Sequence, residues 1–124
     1  MNLLLDFESE VPIYIQLRNE IVKAIALGKV EEGYSLPSVR SLADDIGINM
    51  HTVNKAYNIL KGEGYITLDR RHGAFISKKG VTKEDSTKFE EEFKEAILNC
   101  LAKGMEKKEI DNMISNVYSR LKEE

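Results

Sequence analysis

Apolar residues in this chain recur in helical stripes, interrupted once by a strand-like run. Ile13, Leu17, Ile21, Ala24 and Ile25 keep the three- and four-residue steps of one helix face. Pro12 in the first turn, where a missing N–H costs least, starts this helix, and Gly28 ends it. Residues 30–36, with Gly33 inside, read as a short connector or strand. Pro37 and Ser38 then open a second helix, with Ser38 as its N-cap. Counting from Val39, the fifth residue is Ala43, the ninth Gly47 and the fifteenth Val53. Two helices crossing steeply need a small side chain where they touch, which Ala43 provides. The left-handed turn between them favours a residue without a Cβ, which Gly47 provides. Asn49 caps the third helix, in which Val53, Ala56, Tyr57 and Leu60 face inward and His51, Asn54, Lys55 and Asn58 face out. This is the spacing of a helix-turn-helix, whose outer face carries donors and acceptors able to reach base edges and phosphates. On these positions alone, an ordinary αα-corner with a solvated outer face fits as well.

The residues that follow shift the balance. After Gly62 and Gly64, Tyr65-Ile66-Thr67-Leu68, the charged turn Asp69-Arg70-Arg71-His72-Gly73 and Ala74-Phe75-Ile76-Ser77 read as a hairpin. With Arg70, Arg71 and His72 at its tip, directly after a helix-turn-helix, the hairpin is a candidate wing lying on the DNA backbone or minor groove. Residues 78–81 are a linker, and Thr82-x-x-Asp85 resembles a capping box with Asp in place of Glu or Gln. Phe89, Phe93, Ala96, Ile97, Cys100 and Leu101 then fall at helical spacing. Gly104 breaks the pattern, and Ile110, Met113, Ile114, Val117, Tyr118 and Leu121 resume it. Such a two-helix hairpin, with one apolar stripe per arm, cannot cover both stripes alone. A second copy of the chain is the simplest cover. Phe89, Phe93, Ile97, Leu101, Ile110, Ile114, Val117 and Leu121 are therefore the candidate dimer contacts. The other arrangement packs the stripes onto the N-terminal domain.

The expected fold is mainly α with a small β-hairpin: a winged helix-turn-helix over residues 1–80 and a helical dimerisation region over residues 81–124. A net charge of −3 looks wrong for a nucleic-acid binder until it is divided along the chain. Residues 1–80 carry ten basic and ten acidic side chains, and residues 81–124 carry eight and eleven, so the acid excess lies in the tail. Between residues 47 and 80, six basic groups (Lys55, Lys61, Arg70, Arg71, Lys78 and Lys79) oppose only Glu63 and Asp69. Electrostatic footprints are local, and such a patch can hold double-stranded DNA with salt-sensitive affinity. The single cysteine, Cys100, rules out an internal disulfide framework, and its apolar stripe points to a buried structural thiol. No apolar run reaches membrane-spanning length and no signal segment opens the chain, so a soluble, cytoplasmic protein is expected. His51, His72 and Cys100 are the obvious soft ligands, and no pair has metal-binding helical spacing. Neither metal, cofactor nor catalysis is expected.

Taken together, Pro12-Ile13-Tyr14-x-Gln16-Leu17, Gly28, Gly33, Leu36-Pro37-Ser38-x-Arg40-x-Leu42-Ala43, Thr52-Val53-x-x-Ala56-Tyr57-x-x-Leu60, Glu63-Gly64 and Gly73-x-Phe75 resemble the DNA-binding domain of GntR-type bacterial transcription regulators. The resemblance covers about residues 10–77, and the short tail is similar to that of the YtrA subfamily, small dimeric regulators often tied to transporter operons. It implies a homodimer on a near-palindromic operator. It also implies DNA contacts from Arg40, from the N-terminal turns of the recognition helix and from the wing glycine, Gly73. With the outer face and the wing, the candidate DNA-binding residues are Ser38, Arg40, Asn49, His51, Thr52, Asn54, Lys55, Asn58, Arg70, Arg71, His72 and Gly73. Some relatives carry arginine where Met50 and Asn54 stand here, so their base preferences do not transfer. The tail is too short for the ligand-binding or aminotransferase-like modules of larger relatives. An effector pocket would have to be small or lie between subunits. A rival reading keeps the winged fold as a protein-interaction module without specific DNA binding; Arg40 and the basic wing argue against it.

Overall fold

The computed structural model describes residues 1–77 and 79–124. Lys78, which the sequence assigns to the linker and the basic patch, lies outside them. The chain divides into two compact units, Met1–Lys79 and Gly80–Glu124.

The first unit is built from α1 (Ile13–Ala26), α2 (Val39–Ile46), α3 (Met50–Gly62) and an antiparallel pair, β1 (Ile66–Asp69) with β2 (Gly73–Ile76). Its core draws a few side chains from each element: Leu17, Ile21 and Ala24 of α1, Leu42 and Ala43 of α2, Val53, Ala56, Tyr57 and Leu60 of α3, and Ile66, Ala74 and Ile76 of the hairpin. Helix α3 sits at the centre. It packs against α1, α2 and β1, and all four of its inward side chains are at most 1% exposed. The helical step that put Val53, Ala56, Tyr57 and Leu60 on one face is thus the face that fills the core.

Local chemistry explains the boundaries. Pro12 is the N-cap of α1 rather than a first-turn residue, and its carbonyl accepts from the Ile15 and Gln16 amides at 3.1 Å each. That placement spares the helix any contact with the pyrrolidine ring. Helix α1 ends as the sequence predicts: Gly28, at φ +72°, lets the Lys29 amide reach back to the Ala24 carbonyl at 2.9 Å. Ser38 Oγ accepts from the Ser41 amide at 3.1 Å and Asn49 Oδ1 from the His51 amide at 2.7 Å, so both expected caps form. Gly47 adopts φ +82°, the left-handed turn between α2 and α3. Gly62 falls inside α3 instead of after it, and Gly64 is the residue that turns the chain away.

The ambiguous segment before α2 is neither a free connector nor a full strand. The Gly33 and Leu36 amides donate to the Ile76 and Ala74 carbonyls at 2.8 Å, and the Ile76 amide donates to the Tyr34 carbonyl at 2.9 Å. The segment thus caps the open edge of β2, leaving only a single bridge, Ser35 with Phe75, beside the two-stranded pair. Sequence reading missed a strap made by the first eleven residues. Gln16 Nε2 donates to the Asp6 and Val11 carbonyls at 2.9 and 2.8 Å, while its Oε1 accepts from the Asp6 amide at 2.8 Å. Glu20 Oε1 accepts from the Leu4 amide at 2.8 Å, and Leu3 and Leu5 pack on the core.

The second unit consists of α4 (Lys83–Ala102) and α5 (Lys107–Glu123). The Thr82 capping box forms with Asp85 in the Glu position, each side chain accepting from the other's amide at 3.1 Å. The turn at Gly104 is as expected, but the two arms do not pack against each other along their lengths. One consequence is that their stripes are bare: Phe93 is 60%, Leu101 53% and Ile114 50% exposed. Ile110 is the exception among the proposed dimer contacts. It lies in the first turn of α5 and is only 9% exposed in the single chain. Cys100 is half-buried instead of enclosed.

Since every member of the core cluster lies between Leu17 and Ile76, a chain ending at Gly80 should fold alone. Urea titration followed by circular dichroism should give one cooperative transition for this fragment. Within it, Leu60→Ala should cost about 2–5 kcal/mol, because the side chain is fully enclosed. Tyr57→Phe, which loses only a hydroxyl hydrogen bond, should cost about 1 kcal/mol. A gradual, non-cooperative loss of helix in the fragment would show that the first unit depends on the tail.

Candidate nucleic-acid interface

The helix that fills the core also presents the candidate reading face. His51, Asn54, Lys55 and Asn58 are exposed along α3, opposite the buried quartet, and Thr52 is half-buried at the margin. What fixes this face is the attachment of α3 to its neighbours. The Tyr57 hydroxyl, on a fully buried ring, donates to the Pro37 carbonyl at 2.8 Å and ties α3 to the residue before the α2 cap. Burial pushes the Tyr57 phenol well above its ordinary pKa, which keeps it a protonated donor. At the far end of α3, Arg18 of α1 grips Glu63 through two hydrogen bonds, Nε to Oε1 at 2.8 Å and Nη2 to Oε2 at 3.0 Å. The guanidinium also lies 5.5 Å from the Tyr65 ring centroid. The Glu63 carboxylate raises the Arg18 pKa, against the opposing effect of partial burial.

The individual candidates fall into distinct surroundings. Ser38 and Asn49 spend one side-chain oxygen each on a helix end. For DNA this leaves Ser38 its hydroxyl proton and Asn49 its amide donors. Arg40 is exposed in the first turn of α2. Met50, 43% exposed at the start of α3, offers an apolar contact. Lys55 does not extend straight out from the face: its Nζ lies 4.0 Å from the centroid of the Tyr14 ring on α1.

The hairpin tip is ordered by an internal carboxylate. The register pairs Asp69 with Gly73, leaving Arg70, Arg71 and His72 as a three-residue loop. Asp69 Oδ1 accepts from the Arg71 amide at 2.7 Å, and Oδ2 lies 3.0 Å from His72 Nδ1. The contact with His72, followed by the Arg71 amide, holds the Asp69 carboxyl below its ordinary pKa. Gly73 supplies the positive φ of +75° that closes such a loop. Arg70, Arg71 and His72 are all exposed, and His72 faces the Asp69 carboxylate, so the two arginines carry the outward charge. Sequence reading had counted Asp69 only as a negative charge within the basic patch. Its place one residue before the loop of an Asp-x-x-x-Gly turn was the signal for a structural role.

Among the described residues, no group of three or more metal-binding side chains comes together, and no helix is long and apolar enough to cross a membrane. The arrangement presents a polar helix face, an exposed arginine on the preceding helix and a basic hairpin tip. This is what a duplex groove and its flanking phosphates require.

Residues 13–76 match the sequence profile of bacterial regulatory proteins of the gntR family. The chain is 32% identical over 121 residues to the HTH-type transcriptional repressor YtrA of Bacillus subtilis, covering 95% of this chain and 93% of that protein. In structure it is similar to a transcriptional antiterminator from Listeria monocytogenes, with a TM-score of 0.88 and 26% identity over 98% of this chain and 93% of that one. It is also similar to the DNA-binding domain of AraR in complex with an operator, with a TM-score of 0.53 and 28% identity over 60% of this chain and 93% of that one. The family and these relatives are transcription regulators rather than enzymes. The chain belongs to the GntR family of bacterial regulatory proteins and is a DNA-binding transcription regulator with a winged helix-turn-helix.

Proposed function

We propose that this regulator acts as a homodimer, joined through residues 82–121, on a near-palindromic operator, and that it represses the genes it controls. The observation that carries the reading is the bare apolar face of α4 and α5. Phe89, Phe93, Ile97, Leu101, Ile114, Val117 and Leu121 are all more than a third exposed on helices that do not cover each other. Ile110 is left out of this surface because the single chain already buries it. Repression follows the name of the Bacillus subtilis relative, which matches nearly the whole chain. The YtrA-like tail extends the reading to a transporter operon.

The charge balance explains why two copies would be needed. A local excess of four positive charges between residues 47 and 80 neutralises few phosphates. A dimer doubles those contacts and makes the second half-site's binding effectively intramolecular. In this reading Arg40 and the wing arginines, Arg70 and Arg71, fix register on the backbone, while His51, Asn54 and Asn58 reach base edges.

Sedimentation at micromolar concentration should report a dimer for the full chain and monomers for Ile114→Glu or Leu121→Glu, each of which buries an unpaired carboxylate at the interface. A variant that stays dimeric would move the interface elsewhere. In DNA titrations, the full chain should require two inverted half-sites about one helical turn, or about 34 Å, apart. The chain ending at Gly80 should lose most specific binding at physiological salt. If that fragment bound one half-site as tightly as the full chain binds two, dimerisation would have no part in affinity.

A second experiment separates positioning from reading. Arg70→Ala and Arg71→Ala should weaken binding to every sequence alike and make it less salt-dependent, whereas Asn54→Ala should chiefly relax base preference. Equal loss of specific and non-specific binding in Asn54→Ala would remove that residue from base readout.

A further inference from the structure

We infer that Tyr14, on α1, is a positioning residue for DNA binding: its ring holds the Lys55 ammonium at the flank of the recognition helix, where the side chain meets the sugar–phosphate backbone instead of base edges. Lys55 is exposed, and among the described residues no carboxylate is within ion-pair distance of its ammonium. What it has instead is the half-buried Tyr14 ring, with Nζ 4.0 Å from the ring centroid. An ammonium over an aromatic face is attracted by the ring quadrupole. The contact also restricts a stem whose four rotatable bonds would otherwise sweep a wide volume.

Geometry assigns the consequence. A helix with its side chains is about 10–12 Å across and a major groove about 12 Å wide, so an inserted helix meets bases with its leading face and the groove walls with its flanks. Tyr14 belongs to α1, which packs along one side of α3, so the contact draws Lys55 off the leading face shared by His51, Asn54 and Asn58. The groove wall is lined with phosphates. A compact ammonium with one side against a ring still has donors on its open side, and a phosphate asks for no more. This assigns Lys55 to the phosphates, where the sequence had left the outer face open to base edges and phosphates alike.

A phosphate contact is felt on any sequence, so the test uses the full chain and a mixed-sequence duplex, and does not depend on the homodimer and palindrome reading. Tyr14→Leu keeps apolar bulk but removes the ring face and should weaken binding about two- to fivefold, while Tyr14→Phe should restore it. Lys55→Met should lower the slope of log K against log salt by about one for each protomer bound. In the Lys55→Met background, Tyr14→Leu should have no further effect. Without DNA, the Lys55 ε-methylene protons should show an upfield ring-current shift that Tyr14→Leu abolishes and Tyr14→Phe retains. The inference is overturned if Tyr14→Leu weakens binding equally with and without Lys55, since the ring would then act only through the fold. It is also overturned by an unchanged salt slope in Lys55→Met, or by an unshifted ε-methylene in the native chain.

Discussion

Helix α3 has to be immobile on one side so that it can be read on the other, and the rest of the first unit is arranged around that requirement. Its inner face is enclosed without gaps at Val53, Ala56, Tyr57 and Leu60. Packing alone fixes a helix poorly against rotation and sliding, since apolar contact is non-directional. Two polar ties supply direction. The Tyr57 hydroxyl fixes the helix to the Pro37 carbonyl, and the Arg18–Glu63 pair fixes its C-terminal end to α1. Both are partly shielded from water, which strengthens such bonds and makes the loss of one partner costly to the other.

Much of this was legible in the sequence because it rests on local rules. The Gly47 turn, the caps at Ser38, Asn49 and Thr82, and the inward quartet of α3 follow from spacing and side-chain chemistry within a few residues. What was not legible depends on partners distant in sequence. The Arg18 grip on Glu63 spans 45 positions and the Gln16 hold on the strap runs backwards along the chain. Tyr14 reaching Lys55 likewise needs the packing of α1 on α3 before it can be seen. The two arms of the tail could be drawn from periodicity, but not the absence of packing between them, because a stripe records that a face is apolar and not what it meets.

The hairpin tip shows a separation of tasks within a few residues. Asp69 orders the loop by accepting from the Arg71 amide and facing His72, and so places a negative charge beside the group of positive ones. Turned inward to the turn's own backbone, that carboxylate gives Arg70 and Arg71 a defined platform.

The uneven division of charge has a consequence for how the molecule meets a duplex. The tail, with eight basic against eleven acidic groups, carries charge of the opposite sign to residues 47–80, where six basic groups oppose two acidic ones. The two parts of one chain therefore meet a polyanion with fields of opposite sign, and salt shortens the reach of both.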